Sequence, residues 1–93
     1  MFDILVNNNK GERIKNFSCP VNECSIGKSR DNFIQLRGWK IANHHALITR
    51  TSEGLFIEDL TGKGNIKVNG DEVEHHGPIR TSDEIVIGGY HIQ

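Results

Sequence analysis

The chain has 93 residues, 35% of them hydrophobic, which fits one compact domain over residues 1–93 with a modest core and leaves no room for a second. Eleven basic against twelve acidic side chains give a formal charge of −1, a balance that advertises neither nucleic acid nor an anionic membrane surface as a partner. The only cysteines are Cys19 and Cys24, and the apolar start Phe2-Asp3-Ile4-Leu5-Val6 is too short for a signal peptide or a membrane span. A cytoplasmic setting with reduced thiols and no membrane insertion is the expectation.

Along the chain the apolar runs are short and separated by turn residues, the pattern of an all-β sandwich or barrel, and no helix of useful length appears. Strands are expected over 2–6, 13–17, 24–26, 33–36, 46–49, 55–58, 66–68, 84–87 and 90–92. Asn7-Asn8-Asn9-Lys10-Gly11 reads as a hairpin loop. Asn69-Gly70 supplies the positive φ angles of a type I′ turn, and Gly88-Gly89 can do the same before the last strand. The chain stops at Gln93, soon after a strand begins, which points to a domain of a longer protein.

Three pieces stand out by their order and spacing: Ile26-Gly27-Lys28-Ser29, then His44-His45-Ala46, then Val68-Asn69-Gly70. Together they resemble the forkhead-associated (FHA) family, whose members are small β-sandwiches that read phosphothreonine. That family carries a Gly-Arg pair after its third strand, a Ser-x-x-His segment and an Asn-Gly-Thr-x-Val-Asn-Gly stretch. Gly27 matches the glycine, His45 the histidine, and Asn69 and Gly70 the closing hairpin; Asp59-Leu60 and Ile85-Val86-Ile87-Gly88 also fit. The resemblance covers nearly the whole chain. It implies an FHA-like (SMAD/FHA) β-sandwich of two antiparallel sheets, with Gly27, His45, Asn69 and Gly70 as loop scaffold.

The positions that hold phosphate in the family depart from its pattern. Lys28 stands where the family has arginine, Ala42 where it has serine, and Asn43 where a second arginine is common. The family's Asn-Gly-Thr falls on Gly64-Asn65-Ile66, so the peptide-holding asparagine is absent or displaced onto Asn65. A phosphate dianion is held by charge-assisted hydrogen bonds from forked guanidinium donors, hydroxyls and amides, and lysine keeps the charge without the fork. Replacing a serine and an arginine at such a site costs about 3–6 kcal/mol, enough to turn a micromolar site into a roughly millimolar one or worse.

The loops themselves are basic. Across 27–32, 37–45 and 60–67 lie Lys28, Arg30, Arg37, Lys40, Lys63 and Lys67 against the single acid Asp31. The resemblance implies that these segments converge at one end of the sandwich, where an acidic or phosphorylated protein or peptide would meet Lys28, Ser29, Arg30, Asn43, Lys63, Gly64 and Asn65. The plainer alternative is that these are ordinary solvated loop charges.

Sharper-looking motifs weigh less. Gly27-Lys28-Ser29 echoes the end of a P-loop, but the glycine required five residues earlier is Asn22 and no helix pattern follows. The histidine pairs His44-His45 and His75-His76 point to opposite faces of a strand, and no carboxylate or cysteine stands at ligand spacing, so no metal or other cofactor is expected. His45 is read as a buried hydrogen-bonder and the other histidines as surface residues. Cys19 and Cys24 are read as separate buried thiols, and Trp39 as a loop-core plug rather than a partner contact. No catalytic constellation is visible, so no enzymatic role is expected.

The sequence thus points to a protein-interaction module of FHA type that docks a partner through loops at one end, with weak or absent phosphothreonine specificity. Two alternatives stand beside it: a competent phosphothreonine reader with a rebuilt pocket, and a structural or regulatory appendage that positions or oligomerises a fused enzyme. The pattern Leu36-Arg37-Gly38-Trp39 with His45-Ala46 is similar to N-terminal FHA units of bacterial secretion and pilus-assembly ATPases, which suggests that setting.

Overall fold

The alternation of buried and exposed positions in Phe2-Asp3-Ile4-Leu5-Val6-Asn7 sets one face of the first strand against a core and the other toward solvent. The computed structural model describes residues 2–93 and repeats that device in two stacked sheets. The strands are β1 (Phe2–Asn7), β2 (Arg13–Cys19), β3 (Glu23–Gly27), β4 (Ile34–Gln35), β5 (Ala46–Thr51), β6 (Gly54–Asp59), β7 (Ile66–Val68), β8 (Asp71–Val73), β9 (His75–His76), β10 (Ile85–Ile87) and β11 (Tyr90–Ile92). One sheet runs β2-β1-β11-β10-β7-β8 and the other β4-β3-β5-β6-β9. Neighbours pair antiparallel except β3 and β4, which run parallel across the short 28–33 connection. The described residues contain no helix, as the sequence led us to expect.

The core is built mainly from β-branched side chains, which pack well on a pleated surface. Ile4, Val6, Ile66, Ile85, Ile87 and Ile92 come from one sheet and Ile26, Ile34, Ala46, Ile48 and Ile57 from the other, all buried. Along the side where the outer strands β2 and β4 meet, Phe17 and Phe33 close the gap edge to face, with ring centroids 6.3 Å apart.

The expected hairpin turns are present. Asn69 (φ 53°) and Gly70 (φ 89°) join β7 to β8, and Gly88 (φ 53°) and Gly89 (φ 90°) join β10 to β11. Strands β8 and β9 escape the sequence reading because Asp71-Glu72-Val73-Glu74-His75-His76 has almost no apolar alternation. Their register is set instead by the Asn69-Gly70 turn and by pairing with β7 and β6.

Cys19 and Cys24 are both buried and unbridged, and the Cys19 thiol donates to the Glu23 carbonyl at 3.3 Å. Burial first, and then the neighbouring Cys19, push the Cys24 thiol up to about 12, so no nucleophilic thiolate forms there at neutral pH. Neither cysteine is expected to react with iodoacetamide in the native domain, and both should react in denaturant. Mass spectrometry checks this, and rapid native labelling of Cys24 would contradict the closed packing.

The β7–β8 turn carries a polar cluster. The Asp83 carboxylate accepts from the Arg80 amide (2.8 Å), His76 Nε2 (2.9 Å) and Asn69 Nδ2 (3.0 Å), and these donors hold its pKa well below the usual carboxylate range. His76 is therefore half-buried and hydrogen-bonded, a correction to its reading as a surface residue. The sequence hides the contact because Asp83 lies seven positions on, beyond the Pro78 turn.

The loop face and its place among known proteins

Three loops meet at the end of the sandwich where β3, β5 and β7 begin or finish: 28–33, 36–45 and 60–65. The 28–33 and 36–45 loops are zipped by backbone bonds, with the Lys28 amide on the Ala42 carbonyl (2.9 Å) and the Ser29 amide on the Asn43 carbonyl (3.2 Å). Asn32, which the sequence reading passed over, is the clamp. It is 8% exposed, and its Nδ2 donates to the carbonyls of Ser29 (2.9 Å) and Asn43 (2.7 Å). Its only signal in the sequence is that asparagine side chains bond readily to nearby backbone.

Gly27 sits under this clamp. A Cβ there would overlap the Asn43 carbonyl oxygen and lie 2.7 Å from Asn32 Nδ2, so glycine is required for close approach rather than for an unusual φ. Gly27→Ala is expected to destabilise the domain by about 1–3 kcal/mol, measured by urea unfolding. An unchanged midpoint would mean that the two loops are not held together as described.

His45 ties the third loop in. It is 1% exposed and takes the Ala42 amide on Nδ1 (3.1 Å), while Nε2 lies 3.0 Å from the Asn65 carbonyl. With Nδ1 accepting, Nε2 carries the proton and donates, so a neutral imidazole satisfies both partners. The expectation for His45 is met.

The 60–65 loop is organised by Asp59 at the end of β6. Its carboxylate accepts from the amides of Thr61 (3.2 Å), Lys63 (3.2 Å) and Gly64 (2.9 Å) and from the Thr61 hydroxyl (2.8 Å). Burial pushes the Asp59 pKa up, but those hydrogen bonds outweigh it and hold the group below its ordinary value. Gly64 is buried, and Asn65 lies outside, donating to the Thr61 hydroxyl at 3.2 Å.

The structure therefore brings Lys28, Ser29, Asn43, Gly64 and Asn65 to one face, with the exposed cations Arg30 and Lys63 on the same loops. Among the described residues the ion pairs are His44 with Asp31 (3.8 Å) and His76 with Asp83, so none of the six loop-region lysines and arginines is neutralised by a carboxylate. Lys67 lies on β7 rather than in the loop, paired across to Glu72 on β8. The Asp31 carboxyl is held below its ordinary value, chiefly by the Ser29 side chain beside it.

Trp39 corrects the sequence reading. It is 88% exposed, because Leu36 and Ile41 on either side of it are the residues that enter the core. It stands between two grooves, one of about 300 Å³ toward Asn8, Asn9 and Tyr90 and one of about 560 Å³ toward Lys67, Glu72 and Val86.

A buried histidine joining two loops, a glycine under their junction and an Asn-Gly hairpin behind them is the arrangement that the motif order implied, and the FHA domain family model matches residues 24–88. The chain belongs to the FHA domain family. It is thereby a protein-interaction module. Among solved structures it is similar to the Slr1951 protein of Synechocystis sp. (24% identity, TM-score 0.78, covering 98% of this chain and 90% of that one). It is also similar to the FhaA FHA domain complexed with the intracellular domain of Rv3910 (18%, TM-score 0.79, 97% and 94%). A third is Mycobacterium tuberculosis EmbR in complex with a low affinity phosphopeptide (21%, TM-score 0.79, 97% and 23%). At such identities these likenesses speak to the fold. No curated protein matches the chain.

Proposed function

We propose that this FHA domain docks an acidic segment of a partner protein on its three-loop face, with little or no specificity for phosphothreonine. The observation that carries the reading is an imbalance of donors and charge. Ala42 offers no hydroxyl beside the Lys28 amide, and Asn43 puts a short amide where a guanidinium is common in the family. Around this donor-poor centre, Lys28, Arg30 and Lys63 keep positive charge without internal partners. Charge without fixed donors favours a diffuse acidic surface over one oriented phosphate, because a dianion is discriminated by its hydrogen bonds rather than by field alone. The solved neighbours that hold a phosphopeptide and an intracellular protein domain support docking at this kind of module.

Partner contacts are assigned to Lys28, Ser29, Arg30, Asn43, Lys63, Gly64 and Asn65, with Gly27, His45, Asn69 and Gly70 as scaffold. We place the domain as one unit of a longer protein, with an appended role on a secretion-type ATPase as the setting that its sequence suggests.

Fluorescence polarisation with a phosphothreonine peptide library and its unphosphorylated counterpart, at low and moderate salt, tests the reading. Similar weak binding of both sets, falling with salt, is expected. Micromolar binding that requires phosphate would overturn it in favour of a rebuilt phosphothreonine pocket. Lys28→Glu with Arg30→Glu should weaken acidic-peptide binding roughly tenfold at low salt, and an unchanged affinity would remove these residues from the interface.

A further inference from the structure

Trp39 is the largest apolar side chain on the surface, and the loop that carries it is firmly held. The Ile41 side chain, 3% exposed, packs over Gly88, and the Ile41 amide donates to the Gly38 carbonyl at 3.2 Å. On the other flank the Tyr90 hydroxyl donates to the Arg37 carbonyl at 2.8 Å. A loop fixed at both flanks holds the indole out in water at a set place, so little loop ordering remains to be done on binding.

We propose that Trp39 anchors a second contact surface, one that takes an apolar side chain flanked by carboxylates on an extended segment of a partner protein. The proposal rests on the reading of this chain as a docking module, but not on the cations at Lys28 and Arg30. The surface runs from the β1–β2 turn at Asn8 and Asn9, past Trp39, onto the outer side of β10 and β7, where Val86 and Lys67 pair, and it adjoins the three-loop face at Gly64 and Asn65. Trp39 borders both grooves, each of side-chain size, which suits a chain laid along the protein.

Charge selects the occupant. Arg37, Lys40 and Lys67 line these grooves against the single acid Glu72, and Lys40 Nζ stands 5.4 Å from the Trp39 ring centre. A second copy would bring three more cations against these three and is disfavoured. An acidic segment with a leucine, proline or aromatic residue between its carboxylates satisfies both the rim and the indole.

The lone tryptophan makes the site its own reporter. Titrating the whole chain with short unphosphorylated peptides, each carrying leucine, proline or phenylalanine between aspartates and glutamates, should shift Trp39 emission to the blue and shield it from iodide. Counterparts with the acids exchanged for lysine should do neither. Trp39→Ala should leave the melting temperature unchanged, since the indole is 88% exposed and enters no core contact, and should weaken peptide binding by about 30-fold, read by polarisation of a labelled peptide. Arg37→Glu with Lys40→Glu should abolish the fluorescence response, while Lys28→Ala with Arg30→Ala should leave it intact even where those substitutions abolish docking on the three-loop face. The proposal is overturned if no acidic peptide moves the emission or if basic peptides move it equally. It is also overturned if anionic phosphatidylserine vesicles alone produce the shift, or if the shift appears with rising protein concentration and no peptide, as self-association requires.

Discussion

Asp59→Ala is expected to lower the stability of this domain by about 2–4 kcal/mol, a large share of the 5–15 kcal/mol that holds a typical domain together. The carboxylate gathers the amides of Thr61, Lys63 and Gly64 and the Thr61 hydroxyl into one turn; the Lys63 amide also reaches the Thr61 hydroxyl oxygen at 3.2 Å, whereas the Thr61 and Gly64 amides rely on Asp59. Truncation leaves the buried Gly64 amide unsatisfied and releases the loop that presents Lys63, Gly64 and Asn65. For a domain of this length the melting temperature should fall by roughly 10–25 °C. Asp59→Asn separates charge from shape, because its amide nitrogen turns a donor toward donors and only one oxygen remains to accept.

The same residue sets an acid limit. The folded pKa of Asp59 lies below its unfolded value of about 3.9, so its contribution is complete above that value and is lost as pH falls through the folded pKa. Asp83 and Asp31 are shifted in the same direction and add to the trend. Urea midpoints between neutral and acidic pH should fall toward low pH in the native domain. They should fall less in Asp59→Ala, and parallel curves for the two proteins would show that the Asp59 hydrogen bonds do not form in solution.

Asp59 also illustrates which parts of the molecule its residue order discloses. The sequence marks it only as an acid before a loop, and its role emerges when 60–65 curls back over it. Alternating isoleucines and valines announced β1, β5, β7 and β10 because core burial imposes a two-residue period. Asn-Gly and Gly-Gly announced their turns because few other residues adopt positive φ. Asn32 and Tyr90 act on the loops through bonds to the distant backbone of Asn43 and Arg37, and such bonds leave no period or motif. Trp39 was misread for a related reason: a preference for burying large aromatics describes the average site, whereas here Leu36 and Ile41 had already filled the adjoining core positions.

Ala42→Ser combined with Asn43→Arg, and then with Lys28→Arg, is expected to convert the loop face into a phosphothreonine reader. The backbone at these positions is already fixed. The Ala42 carbonyl takes the Lys28 amide, the Ala42 amide donates to His45, and the Asn43 carbonyl takes the Ser29 amide and Asn32 Nδ2. New side chains therefore join a settled frame, and Asn43 is exposed enough to carry a guanidinium without displacing a neighbour. A serine hydroxyl and a guanidinium each add a hydrogen bond to a charged group, about 1.5–3 kcal/mol apiece, so the gain for a phosphothreonine peptide should reach about a hundredfold or more. Affinity for the unphosphorylated peptide should rise far less, because an added arginine gives it charge but no dianion to grip. Polarisation titrations of both peptides against the native and triply substituted domains measure the ratio directly. If the ratio stays near one while the substituted domain melts at the native temperature, the missing donors are not what limits phosphate recognition. The reading of this face as a charged but donor-poor docking surface would then have to be abandoned.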